Sequence, residues 1–338
     1  MARQFEDVGP NSIGWLFVDE AGQAVPQAAV GALLRAKRAI VIGDPLQIEP
    51  VFTLPKHLIS ELANTSQVTE SGDYSPDRVS AQVLADQANS FGTSVSKDGD
   101  ETIWIGSPLR VHRRCIDPMF GLANRIAYED RMVFGLSSRS LDPDQVPYLG
   151  ETCWIHLPET AQGRQAVPEQ TEFVARLIAE FYFQFGAWPK LYVISPFKEV
   201  KEQISNRLQA PVFWADLGVE KPHAKTLRNW ASSRIGTVHT FQGKEEDTVI
   251  MVLGADQKKE GAARWAASKP NILNVALTRA KRRFYLVGDR QLWGELRFFQ
   301  EAFRELPIES PSNFSERAKK EWKRRDNEKL AHEQRIFA

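Results

Sequence analysis

The chain has 338 residues, 42% of them hydrophobic, enough for a sizeable core in one large or two ordinary domains. Lys plus Arg and Asp plus Glu both number 43, so the formal net charge is zero. That excludes a uniformly polycationic nucleic-acid binder; any such site must be a local basic groove. Two cysteines, Cys115 and Cys153, are too few for a disulfide framework or a four-cysteine metal or iron–sulfur site, and favour a reducing compartment. No apolar run has the length of a membrane span, and "MARQFEDVGP" lacks an apolar signal core. The expectation is a cytoplasmic protein with no membrane partner.

In chain order, "WLFVD" (15–19) reads as a buried strand that stops at two adjacent carboxylates, Asp19 and Glu20. "VPQAAVGALLRA" follows with helical spacing and Pro26 near its start. "AIVIGD" (39–44) is a second apolar run. Residues 62–100 are rich in Ser, Asp and Gly; their front reads as a mobile loop and "SAQVLADQANSF" as a helix. Residues 136–150 read as irregular. "EQTEFVARLIAEFYFQF" and "KEVKEQISNRL" are helical, with the apolar run "LYVIS" between them. "TVIMVL" and "FYLVGD" complete the strands, and "SERAKKEWKRRDNEKLAHEQR" is a mixed-charge helical tail. Short apolar strands separated by helices predict an α/β fold, a parallel sheet with helices on both faces.

Functional groups in such sheets gather at the carboxyl ends of strands. Neighbouring strand residues point opposite ways. One carboxylate of the Asp19–Glu20 pair can hold a cation while the other polarises water, or the pair is an ordinary solvated strand end. "AIVIGDPLQIEPV" repeats the pattern with Gly43, Asp44, Pro45 and Gln47. A neutral amide there can sense a phosphate oxygen, or simply decorate a Gly-Asp-Pro turn.

The run of motifs resembles superfamily 1 (1B) helicases, closest to the subgroup of RNA-decay helicases and lagging-strand helicase–nucleases. "VDEAGQA" resembles their motif II and "GDPLQIEP" motif III. "PLRVHRRCIDPMFGLANRIAY", from Pro108, resembles the opening of the second RecA-like domain. "VISPFKEVKEQI" resembles the Thr-Pro-Tyr motif, "GTVHTFQGKEEDTVIMVL" motif V and "NVALTRAKRRFYLVGD" motif VI. The motifs keep the family's order over residues 15–289. "HRRCIDP" departs from the family's Tyr-Arg-Met-His-Pro core, and Phe197 stands where Tyr is commoner.

The resemblance implies a RecA-like P-loop NTPase fold, with ATP and Mg²⁺ as cofactors and single-stranded DNA or RNA as partner. Its domains would be a partial first RecA-like domain at 1–107, a complete second one at 108–305 and a charged tail at 306–338. Asp19 would ligate Mg²⁺, Glu20 would activate water and Gln47 would contact the γ-phosphate. Arg114 and Arg279 would serve as arginine fingers, with Arg113 as the alternative to Arg114; a planar, permanently charged fork suits phosphate. Gly243 and Glu245 would lie at the nucleotide, and Gln242 would bridge nucleotide and strand sites. Ser195, Pro196, Phe197, His239 and Thr240 would track the strand, although Phe197 reads equally well as a core ring.

A helicase of this kind needs G-x-x-x-x-G-K-[ST] to cradle phosphates. The only Gly-Lys pair is Gly243-Lys244, followed by Glu245. With 18 residues before Asp19, the expectation is the C-terminal motor portion of a helicase or translocase, by itself inactive. The missing N-terminal half would be supplied in cis or in trans. The alternative is a non-catalytic nucleic-acid-binding or scaffold module. No carboxylate–Lys cluster outside the motifs points to a nuclease.

Overall fold

The computed structural model describes residues 7–47, 49–51, 54–68, 71–98, 101–137 and 149–336. The irregular stretch expected at 136–150 falls mostly on 138–148, outside the described residues. The chain separates into two compact units, 1–110 and 111–338.

In the first unit β1 (Leu16–Val18) pairs in parallel with β2 (Ala39–Val41), Phe17 opposite Ile40. Helix α1 (Pro26–Arg35) joins them, its φ preset by Pro26 at the first turn. The core here is small: Ala21, Ala29 and Ala81, with Val18, Ala24 and Val41 packed on it. The expectation of buried strands is therefore corrected. Phe17 is 65% exposed, and Trp15, Ile40 and Ile42 are exposed too. Apolar patterning marks a strand; only neighbouring layers bury it.

The polar stretch that follows is more ordered than a loop. It holds α2 (Lys56–Thr65), the short α3 (Ser71–Tyr74) and α4 (Ala81–Gln87), the last capped by the Ser80 hydroxyl accepting from the Val83 N–H. Strands β3 (Thr93–Asp98) and β4 (Glu101–Ile105) then pair antiparallel, Val95 opposite Ile103. Val95 between two serines and the apolar run Ile103-Trp104-Ile105 carried that signal, and the high polarity of the rest of the segment masked it.

The second unit opens with a small parallel pair, β5 (Val111–His112) with β6 (Val133–Phe134), around helix α5 (Met119–Tyr128). Its main sheet uses β7 (Cys153–His156), β8 (Leu191–Ser195), β9 (Ile235–Thr237), β10 (Glu246–Val252), β11 (Ala280–Gly288) and β12 (Ile308–Glu309). The six run parallel in the order β12-β7-β11-β10-β8-β9. All five residues of β8 are buried; since alternate side chains point to opposite faces, both faces are covered. This is the expected RecA-like α/β layout. β7 escaped the sequence reading because "CWIH" is too short and mixed to stand out.

Helices α6 (Pro168–Phe185) and α7 (Lys198–Gln209) pack together, followed by α8 (Pro211–Asp216) and α9 (Ala224–Arg234). Gly186, at φ 61°, ends α6 in the left-handed region. Between β10 and β11 lie α10 (Glu260–Ala266) and α11 (Asn271–Arg279), and α11 packs on α5. After β11 come α12 (Arg290–Gly294), α13 (Phe299–Glu305) and α14 (Pro311–Ile336). The front of the tail helix docks through Phe314, Ala318 and Trp322, spaced four apart on one face. Trp322 meets the rings of Phe181 and Phe185 edge-on. Among the described residues no helix is long and apolar enough to cross a membrane.

Candidate nucleotide and nucleic-acid site

In the first unit, the loops after β1 and β2 lie in direct contact. The Ala21 N–H donates to the Ile42 carbonyl at 2.9 Å. Two glycines allow the approach. A Cβ on Gly22 would sit 2.8 Å from the Asp44 carbonyl oxygen, and one on Gly43 would sit 2.6 Å from the Gly22 nitrogen. Between them Glu20 adopts φ 53°, ψ 36°, a left-handed conformation uncommon for a residue with a side chain. Asp19 Oδ1 accepts from the Glu20 N–H at 2.9 Å, and Gln23 Nε2 donates to Glu20 Oε2 at 3.2 Å. Gln47 Nε2 donates to Asp44 Oδ2 at 2.9 Å, while Asp44 Oδ1 accepts from the Leu46 N–H. The expected residues Asp19, Glu20 and Gln47 thus share one pair of loops.

Beneath them Asp86 Oδ1 accepts from Gln82 Nε2 and the Gly106 N–H. Burial raises the Asp86 pKa above the usual carboxylate value. Among the described residues no group of three His, Cys, Asp or Glu could hold a metal. Asp19 nonetheless fits Mg²⁺, which can take a single carboxylate and complete its shell with water and phosphate oxygens.

In the second unit, Arg113, Arg114, Lys281 and Arg282 line a cavity of about 360 Å³ together with Glu245. Arg114 Nε lies 3.1 Å from Glu245 Oε2, and Lys281 Nζ lies 2.7 Å from Oε1. The Lys281 hydrogen bond, with the charges of Lys281 and Arg114, holds the Glu245 pKa below its ordinary value. Arg282 is paired with Asp247 at 3.4 Å, so four cations face two carboxylates, and the surplus is positive, the electrostatics of an anion site. Both Arg113 and Arg114 reach the cavity, and Arg114 makes the motif V contact. The loop carrying them is tied down twice. The Ile116 N–H donates to the Lys281 carbonyl, and the Cys115 N–H donates to His112 Nε2 at 2.9 Å. Burial pushes the Cys115 thiol up to about 12, so it is a packing group rather than a nucleophile.

Arg279 corrects an expectation. It is 1% exposed and does not line the cavity. Its Nη1 donates to the carbonyls of Lys244 at 3.1 Å and Phe241 at 3.4 Å, and its Nε to the Val275 carbonyl. In this structure it braces the motif V turn from below instead of presenting a finger to phosphate. Gly243, at φ 72°, sits on that turn in the left-handed region, beside Gln242.

The strand-facing candidates divide in the same way. Pro196 is half-buried, and His239 and Thr240 are exposed on the turn after β9. Ser195 is buried, and its Oγ accepts from the Phe197 N–H at 3.2 Å. Phe197 is buried beside Trp265 and Trp293, with centroids 6.2 and 6.5 Å away. Ser195 is 1% exposed, and Phe197, 6% exposed, shows only an edge to the groove beside Trp265. They shape the loop, and Phe197 is the core ring that was its alternative reading.

Sequence reasoning missed Gln23, Gln82, Lys281 and Trp265. Lys281 had a signal, since it directly follows the "NVALTRA" run. Gln23 stood in the quoted "VDEAGQA". Gln82 and Trp265 had none, because only folding brings their segments to these loops.

Residues 104–291 match the family model described as AAA domain. The chain is 21% identical over 295 residues to the Regulator of nonsense transcripts 1 of Dictyostelium discoideum, covering 83% of this chain and 19% of that protein. It is 24% identical over 297 residues to the 5'-3' DNA helicase ZGRF1 of Mus musculus, covering 82% and 13% respectively. It therefore spans less than a fifth of the length of either relative. The crystal structure of Arterivirus nonstructural protein 10 (helicase) matches with a TM-score of 0.36 at 14% identity, covering 84% of this chain and 41% of that one.

Proposed function

The chain belongs to the AAA-domain family, as a superfamily 1 helicase by its motifs and relatives, and from that premise we propose that it is the C-terminal motor portion of an ATP-dependent single-strand translocase. The observation that carries this reading is the cavity of Arg113, Arg114, Lys281 and Arg282 around Glu245. A polyphosphate would replace the Glu245 carboxylate as counter-charge there, and Arg114 would hold it with a planar fork.

Asp19 is the residue that would hold Mg²⁺, which supplies charge neutralisation on phosphate when bound. Glu20, steadied by the Gln23 amide, orients the attacking water. Gln47 reports the terminal phosphate through an amide now held by Asp44. Arg279 keeps the motif V turn in shape, so that Gly243 and Glu245 meet the nucleotide at a fixed distance.

A phosphate-cradling loop is supplied by another polypeptide segment, in cis or in trans. The exposed Trp15, Phe17, Ile40 and Ile42 support this, because parallel strands are ordinarily covered on both faces. Cytoplasmic location and the division at 107 and 305 remain parts of this proposal. A second reading, a strand-binding module without turnover, is favoured by the lack of G-x-x-x-x-G-K-[ST] in these 338 residues.

ATP hydrolysis by the purified chain, with and without single-stranded oligonucleotide, tests both. The expected result is no turnover alone and strand-stimulated turnover when a P-loop-bearing segment is restored, lost in Glu20→Gln. Restored turnover indifferent to Glu20→Gln would overturn the role of that residue. Strand binding with no turnover after restoration would favour the module.

A further inference from the structure

At the carboxyl end of β8 the second unit carries a groove of about 720 Å³, lined by Arg164, Pro196, Lys198, Glu199, Glu202 and Trp265, among others. Trp265 is 59% exposed, although it is the largest apolar side chain in the groove. What sets Trp265 apart from the other exposed rings is its place in a concave groove beside the loop that follows β8. Its other side is backed by the buried Phe197 ring, itself packed against the fully buried Trp293. The indole therefore stands at the end of a short row of mutually tilted rings.

The rim carries two cations, Arg164 and Lys198, and two acids, Glu199 and Glu202. Arg164 and Lys198 are exposed at the rim. The two acids are already engaged. Glu199 accepts the backbone N–H groups of Arg164, Gln165 and Ala166, the shortest at 2.6 Å. Glu202 lies 3.7 Å from Lys198 Nζ. That first clamp also fixes the loop carrying Arg164, and Gly163, at φ 84°, has no room for a Cβ beside Glu199.

We infer that Trp265 is a base-stacking platform for one nucleotide of a single strand, with Arg164 on a neighbouring phosphate and Lys198 exchanging its exposed pair with Glu202 for another. This rests on the strand-binding part of the proposed function. The observations carry it because they separate the two jobs that a single-strand groove needs, an aromatic face for the base and cations for the backbone.

The test is fluorescence anisotropy of the full chain with short oligo-dT, oligo-U and an abasic strand of the same length, comparing wild type, Trp265→Ala and Trp265→Phe. Trp265→Ala should weaken binding to base-bearing strands about 5- to 100-fold and leave the abasic strand within about twofold. Trp265→Phe should recover most of the loss. The ratio of the dT and U losses shows whether the platform favours DNA or RNA. Wild-type binding with Trp265→Ala unchanged, or an equal loss on the abasic strand, overturns the platform alone. Failure of the wild type to bind any strand overturns the strand-binding reading beneath it.

Discussion

Arg114 Nε and Glu245 Oε2 stand 3.1 Å apart, joining the loop before α5 to the turn before β10 across 131 residues of sequence. Lys281 holds the other oxygen of the same carboxylate. Glu245 is thus an internal counter-charge to two of the cavity's cations.

Glu245→Gln should therefore tighten binding of pyrophosphate to the isolated chain, measured by titration calorimetry. Both cations lose their counter-charge and gain the ligand as partner. The pair is partly exposed, so stability should move by less than about 1 kcal/mol. Unchanged pyrophosphate affinity would mean that this cavity is not the anion site.

Arg279 makes a stronger demand on the fold. Arg279→Ala removes the donors to the Phe241 and Lys244 carbonyls at a site 1% exposed. The loss should be about 2–4 kcal/mol, from unmet polar groups and the space left behind. Urea denaturation of the second unit measures it. A loss under about 0.5 kcal/mol would place Arg279 among ordinary surface arginines and contradict the brace.

In the first unit the sensitive point is a glycine. Gly43→Ala puts a Cβ 2.6 Å from the Gly22 nitrogen and 2.9 Å from Gln82 Oε1. The two carboxylate-bearing loops must separate, at a cost of about 1–3 kcal/mol. Hydrogen exchange at the Ala21 amide, now bonded to Ile42, should accelerate in the variant. Unaltered protection there would show that the loops tolerate the extra methyl.

His112 gives the pH dependence. Burial, then the charge of Arg114, lowers its pKa below the ordinary value. Its Nε2 accepts the Cys115 N–H, so the neutral ring is the bonded form. As pH falls through about 6.5, the unfolded chain takes a proton that the native state refuses. Stability from this residue is therefore complete above that value and declines below it. The fall in melting temperature from pH 7.5 to 5.5 should be shallower in His112→Gln than in wild type. Parallel slopes would remove His112 from the account.

The helicase motifs and their order were legible in the sequence, since each is a local string. Five apolar runs and the long helices were legible too, because periodicity marks buried faces. "TFQGKEED" and "NVALTRAK" carry Glu245 and Arg279 as local strings. The strands β7 and β12 and the β3–β4 pair were not legible, being too short or too polar to register.

What a side chain does in its motif was settled only by tertiary structure. Arg279 and Phe197 carry the family's residue types, yet both are buried, because α11 lies under the motif V turn and Trp265 and Trp293 lie against the β8 loop. Lys281 and Trp265 gain their roles from neighbours more than 30 residues away in sequence. Composition and periodicity fix which faces seek burial. Which groups remain available to a phosphate or a base depends on the layers that come to rest against them.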